Sequence, residues 1–312
     1  VRLARGIGAV AFALFSTGAA DPLTVEVQYA DAERFAAVFA ASDGKPDASA
    51  LQARYLAPAS NGVRIFTPHR IVDAENLAAA VARDSQRYAY AIKTCLPLVR
   101  DVTSEMRATY LAFQGLLPER PLPEVHVVFG AGNSGGTADA TAQVIGLEVV
   151  CGPGTTPEQF RQTMRSFFAH ETVHTWQREP GARNQADPLL DYALREGVPD
   201  FLAALVTARI PDPKRNAWAL EREASLWAEF GTDRKKVLLE KDEKVAWQTV
   251  TRWFANYGSA PEGWPNELGY WVGMRIAEAY VDQASDKRKA IRDLIELEDP
   301  QAILAASGYS PH

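Results

Sequence analysis

The turn PERPLP, residues 118 to 123, separates two kinds of sequence pattern and constrains the fold more than any other stretch. Before it, from Asp31 to about Gly115, apolar residues recur at three- and four-residue intervals through DAERFAAVFAAS, DASALQARYLA and DAENLAAAVARDSQRYAYAIKTCLPLVR, which is the period of amphipathic helices. Asp73 and Thr103 read as N-caps there. Directly after the turn the period changes. EVHVVFGAG (124–132) and TAQVIGLEVVCG (141–152) are short β-branched runs joined by the loop GNSGGTADA, and together they predict a small sheet. A helix then starts with readable chemistry: Thr156 as N-cap, Pro157 at the first helical position and Gln159 placed for a capping box. After a polar loop ending near Asp187 the chain reads as helical almost to its end. The expectation is a predominantly helical α+β fold, with a small mixed sheet beside one helix and an all-helical C-terminal half. No repeat or linker interrupts residues 21–312, which read as a single domain with an N-terminal part (21–185) and a helical C-terminal part (186–312).

Composition narrows the function. A chain of 312 residues with 47% hydrophobic and 10% aromatic residues can fill a large core, so disorder is not the default. The net charge of -6 leaves no excess of Lys and Arg to neutralise phosphates, which argues against nucleic acid as a partner. The runs DRKK (233–236) and DKRKAIRD (286–293) read as solvated helix faces. At the N-terminus, Arg2 and Arg5 precede the apolar run IGAVAFALF and the small residues TGAA, the layout of a secretory signal cleaved after Ala20. That run is short for a bilayer span, no stable span is expected in the mature chain, and no Cys follows it as a lipid attachment point. The expected location is periplasmic or secreted. Cys95 and Cys151 fit one disulfide in such a compartment, closing a loop for which chain entropy gives about 4 kcal/mol; two buried free thiols are the other reading.

The chemistry-bearing stretch is FFAHETVHTWQ, residues 167–177. His170 and His174 are four apart on the helix begun at Thr156, so both rings leave one face and reach a single metal ion. Glu171 beside them can act as a base toward water polarised by zinc, which lowers the pKa of a bound water to about 7. This is the H-E-x-x-H arrangement of zinc peptidases. A catalytic zinc needs a third protein ligand and an open fourth position. Glu196 in LREGVPDFLAAL supplies the best third ligand, and Asp200, four residues on, can accept the N–H of a ligand histidine's other ring nitrogen. Pro199 is tolerated in a first helical turn, which places that helix's start just before Glu196. His126, alone in a strand, reads as structural. The ligand set suits zinc, although related divalent ions could occupy it.

Taken together, His170, Glu171, His174, Glu196 and Asp200 resemble the gluzincins, the thermolysin-like zinc metallopeptidases with H-E-x-x-H on one helix and E-x-x-x-D on the next. The segments NSGGTADATAQVIGLEVV, HETVHTWQ, LREGVPDFLA and LGYWVGMRIAEAY also resemble, in this order, bacterial predicted zinc-dependent proteases related to gliding-motility-associated lipoproteins. Pro199 departs from that pattern, where an alanine-like residue is more usual. The resemblance implies a zincin-like fold, Zn2+ held by His170, His174 and Glu196, Glu171 as general base and Asp200 orienting a ligand. It further implies a cleft strand that pairs with extended substrate, for which QVIGLEVV is the candidate. For a tyrosine supporting the oxyanion it points to Tyr270 first, with Tyr257 as second choice. The implied activity is peptide-bond hydrolysis on a peptide or protein substrate. A non-enzymatic envelope protein that keeps a zincin fold as an assembly or binding scaffold is the alternative, and a metal-free helical binding protein is a further one. Oligomeric state and cleavage preference have no sequence signature here.

Overall fold

The computed structural model describes residues 20–311, so the expected signal segment lies, apart from Ala20, outside the described residues. Four strands form one mixed sheet in the order β1-β2-β4-β3: β1 (Val27–Gln28), β2 (Glu124–Val128), β3 (Gly136–Ala138) and β4 (Ala142–Gly146). β1 and β4 flank β2 in parallel, with Glu124 opposite Ala142 and Val128 opposite Gly146. β3 runs antiparallel to β4 at the edge, with Gly136 opposite Ile145. Every residue of β4 is buried, which is why it reads as an apolar run rather than an alternation. One of its faces meets the helix Pro157–His174, called here the histidine helix. The buried Gln143 amide donates to Phe168 O, Thr172 Oγ1 and the Tyr110 hydroxyl on that side. The helix Asn61–Phe66 covers the other face, where Gly62 lies against His126 and Gly146 against Phe66.

Sequence and structure differ at four places around this sheet. The run expected as one strand from 141 to 152 is a strand only to Gly146; Leu147–Val150 is a helical turn. The segment expected as the loop GNSGGTADA contains β3. A short strand, β1, precedes the first helix. Thr103 is the first residue of its helix and makes no cap bond, whereas Asp73 accepts Asn76 N–H at 2.7 Å as a cap should. His126 is 5% exposed and its Nε2 lies 3.3 Å from Glu124, so the structural role expected for it holds.

The histidine helix starts as the sequence implies, with Thr156 accepting from Gln159 N–H and the Gln159 side chain accepting from Thr156 N–H. Just upstream, Cys95 and Cys151 are joined by a disulfide that pins the approach to this helix. The glutamate helix, Pro188–Thr207, begins eight residues before Glu196, not just before it. Asp187 caps it by accepting Leu190 N–H, and Pro188 takes the first helical position, where its missing N–H costs nothing. Pro199 is therefore inside the helix, a correction to the expected boundary. The tyrosine helix, Leu268–Gln283, crosses the glutamate helix where glycine meets glycine. A Cβ on Gly197 would lie 2.2 Å from the Gly273 carbonyl carbon, and one on Gly273 would lie 1.7 Å from Ala193 O. No side chain fits between these backbones. That crossing sets Glu196, next to Gly197, and Tyr270, about one turn before Gly273, toward a common space.

Candidate metal centre

The three expected ligands come together. His170 Nε2 and His174 Nε2 are 3.0 Å apart, and Glu196 Oε2 lies 3.6 Å from the first and 3.3 Å from the second. A tetrahedral zinc with bonds of about 2.0–2.1 Å places its ligand atoms about 3.3–3.4 Å from one another, so this triangle has the size such an ion needs. Among the described residues, these three form the cluster whose geometry suits a metal ion.

What lies behind each ring fixes which nitrogen is free. His170 Nδ1 is 2.9 Å from Asp200 Oδ1, as expected for a carboxylate that accepts a ring N–H. Asp200 is itself held by Arg215, whose Nη2 donates to Oδ2 at 2.6 Å and whose Nη1 donates to Glu267 O at the head of the tyrosine helix. His174 Nδ1 is 2.8 Å from Gln177 Oε1, while Gln177 Nε2 donates to Arg195 O at 2.9 Å. The carbonyl can only accept, so it forces the amide oxygen toward His174, and His174 Nδ1 carries a proton. In the neutral rings both Nε2 atoms thus present lone pairs to each other and to a carboxylate, an arrangement resolved by a positive charge between them, either a proton on one Nε2 or a shared metal cation.

Electrostatics carry the same message. Burial opposes charge on His170, yet the Asp200 and Glu196 carboxylates raise it to about 10. His174 is raised as well, against burial, by Glu196. Glu196 is driven well below the usual carboxylate range by the two imidazoles although burial opposes it. The carboxylates thus favour positive charge at the centre of the triangle, whether carried by protons on the imidazoles or by a metal ion. Glu171 is 6% exposed and its carboxyl is raised by burial, the direction that makes a carboxylate a better base.

Glu171 also has a neighbour the sequence did not flag. A Cβ on Gly136 would stand 2.3 Å from Glu171 Oε1, so the edge strand β3 passes directly over the carboxylate. The expected cleft strand has no edge to offer here: QVIG belongs to β4, which is paired on both sides, whereas β3 beside Glu171 has a free edge. Tyr270 packs its ring over His170 with centroids 5.9 Å apart, and burial together with the Glu196 charge raises its phenol well above 10. Tyr257, the second choice, is 78% exposed and has no hydrogen bond or ring contact with the ligands among the described residues. Gln177 and Arg215 were not singled out in the sequence. The first had a signal, since it stands three residues after His174 and hence on the same side of the chain; Arg215 had none, because only folding brings it to Asp200.

The family model described as gliding motility protein GldB matches residues 19–311. The chain belongs to the GldB family. The match spans both ligand helices and the tyrosine helix, and it places this GldB-family chain among bacterial envelope proteins. No curated protein and no solved structure matches it. Among the described residues, no helix is long and apolar enough to cross a membrane. The case for a metal ion in this GldB-family chain therefore rests on the geometry of its own His170, His174 and Glu196 cluster.

Proposed function

We propose that this chain is a zinc-binding envelope protein whose centre is built for hydrolysis of peptide bonds in the manner of a zincin. The observation that carries the reading is the pair of Nε2 atoms 3.0 Å apart, closed into a ligand triangle by Glu196 and fixed from behind by Asp200 and Gln177. Zinc bound there supplies Lewis acidity toward a carbonyl oxygen and toward water. Glu171 takes the proton of the attacking water and returns it to the leaving nitrogen. Tyr270 donates a hydrogen bond to the carbonyl oxygen as negative charge develops on it. The free edge of β3 offers backbone donors and acceptors to an extended peptide and leads it past Glu171.

The family match favours a second reading, in which a member of a gliding-motility family keeps this centre as a metal-stiffened scaffold for assembling partners and carries out no hydrolysis. Zinc content and activity separate the two. Elemental analysis of the purified chain and of His170→Ala tests the metal: one zinc per chain in the first and none in the second supports the centre. Wild type and Glu171→Gln on a peptide library test the reaction. If both bind zinc equally and both are inert, the scaffold reading stands.

A further inference from the structure

Pro199 is an unusual residue for the middle of a buried helix, since it removes a backbone hydrogen bond and crowds the preceding turn. The carbonyl deprived of its helical partner is the one four residues earlier, that of Arg195. In this chain that oxygen is not orphaned: Gln177 Nε2 donates to it at 2.9 Å. The same amide's oxygen lies 2.8 Å from His174 Nδ1. Arg195 adds a second tie to the segment that carries Gln177, its Nη1 donating to Arg178 O at 2.8 Å.

We infer that Pro199 is a positioning residue for the metal centre: it frees the Arg195 carbonyl to hold Gln177, and Gln177 in turn fixes the ring of His174. The inference rests on the reading that His170, His174 and Glu196 hold a cation. An ordinary residue at 199 would offer its N–H to the Arg195 oxygen along the helix axis and compete with the Gln177 amide. Without that anchor the amide is free to rotate, and His174 loses the acceptor that sets its tautomer and tilt. Glu196 and Asp200 follow Arg195 and Pro199 directly, so a single turn of the glutamate helix addresses all three ligands. Glu196 is one of them, Asp200 holds His170, and the Arg195 carbonyl reaches His174 through Gln177. Pro199 is buried, so a role in helix packing alone is the competing account, and substitution separates the two.

The test compares full-length wild type, Pro199→Ala, Gln177→Ala and the double variant. Zinc affinity is measured by competition with a chromophoric chelator, and melting temperature is measured on metal-free protein. Gln177→Ala is expected to weaken zinc about 10- to 100-fold, the usual effect of removing a partner behind a ligand. Pro199→Ala is expected to weaken zinc roughly threefold to tenfold, within the lower part of that scale, while the metal-free melting temperature rises because the helix regains a bond. The double variant should bind no more weakly than Gln177→Ala alone, because both changes break one chain of contacts. In the zinc-loaded proteins, the slowly exchanging ring N–H resonance of His174 should be present in wild type and lost in Gln177→Ala. Unchanged affinity in Pro199→Ala, or additive losses in the double variant, would overturn the inference. Wild type that takes up no zinc would instead sink the metal reading. Crystal structures of metal-free wild type and Pro199→Ala would then still decide the linkage, by showing whether Gln177 leaves Arg195 O.

Discussion

His170 Nε2 faces His174 Nε2 across 3.0 Å with both Nδ1 atoms committed to acceptors behind them. Two lone pairs at that distance repel unless a proton or a metal cation lies between them and Glu196, and the metal satisfies all three atoms at once. Zinc should therefore stabilise the fold as well as bind to it. At a free concentration a thousand times its dissociation constant, a ligand of the native state adds roughly 4 kcal/mol. A rise in melting temperature on adding zinc, reversed by a chelator and absent in His170→Ala and Glu196→Ala, is the expected outcome. A melting temperature indifferent to zinc would remove the centre.

Glu171 is placed to handle protons and contributes no atom to the ligand triangle. Glu171→Gln should keep the zinc affinity of wild type and lower the rate of peptide cleavage by about 10²- to 10⁴-fold, the usual contribution of a positioned base. The measurement is turnover of a peptide library at matched zinc occupancy. Equal rates in the two proteins would take Glu171 out of the reaction.

Gly273 touches the backbone of the neighbouring helix, and a methyl group there meets the Ala193 carbonyl, which cannot turn aside. Gly273→Ala should destabilise the chain by about 3 kcal/mol or more, the upper end of overpacking costs. Chemical denaturation would report it as a lower midpoint. Gly231→Ala, at a helical glycine with open space around its Cα, is the control and should be close to neutral or slightly stabilising.

Glu148 gives the fold a pH dependence of its own. It is 1% exposed and accepts N–H bonds from Gly130 and Gly132, yet burial raises its carboxyl to about 7 against 4.5 in the open chain. The folded chain thus keeps a proton that the unfolded chain releases between these values. Stability from this group is full below pH 4.5 and is lost as pH rises through 7, by roughly 3 kcal/mol. Glu148→Gln should be less stable than wild type at pH 4.5, since its amide cannot accept from both N–H groups. It should also lack this slope, so the gap between the two proteins narrows toward pH 8. A constant gap between pH 4.5 and 8 would contradict the assignment.

The parts of this structure that were legible in the sequence are those governed by local rules. The capping box at Thr156, the i,i+4 spacing of His170 and His174, and the fourfold offset from Glu196 to Asp200 each follow from helix geometry alone. The pairing of Cys95 with Cys151 followed from an even count. What failed was decided by tertiary contact. Leu147–Val150 is β-branched and reads as strand, but its backbone turns helical where Glu148 reaches back to the Gly130 and Gly132 amides. β3 is glycine, threonine and alanine, with only Thr137 favouring a strand; its place is set by pairing with β4 and by the room that Gly136 leaves for Glu171. Pro199 was assigned to a first turn because proline inside a helix is costly, and the side chain that takes up the stranded carbonyl lies 18 residues upstream of it.

The concentration of ligand, ring support and stranded carbonyl within residues 195–200 has a consequence for how such a centre can change. Each residue of an α-helix advances about 100° around its axis. One residue inserted or deleted just ahead of Arg195 would swing all of these groups off the histidines in a single step, while point substitutions remove them one at a time. A length change between Asp187 and Arg195 would therefore take Glu196, Asp200 and the Arg195 carbonyl off the histidines together, which no single substitution along that interval does.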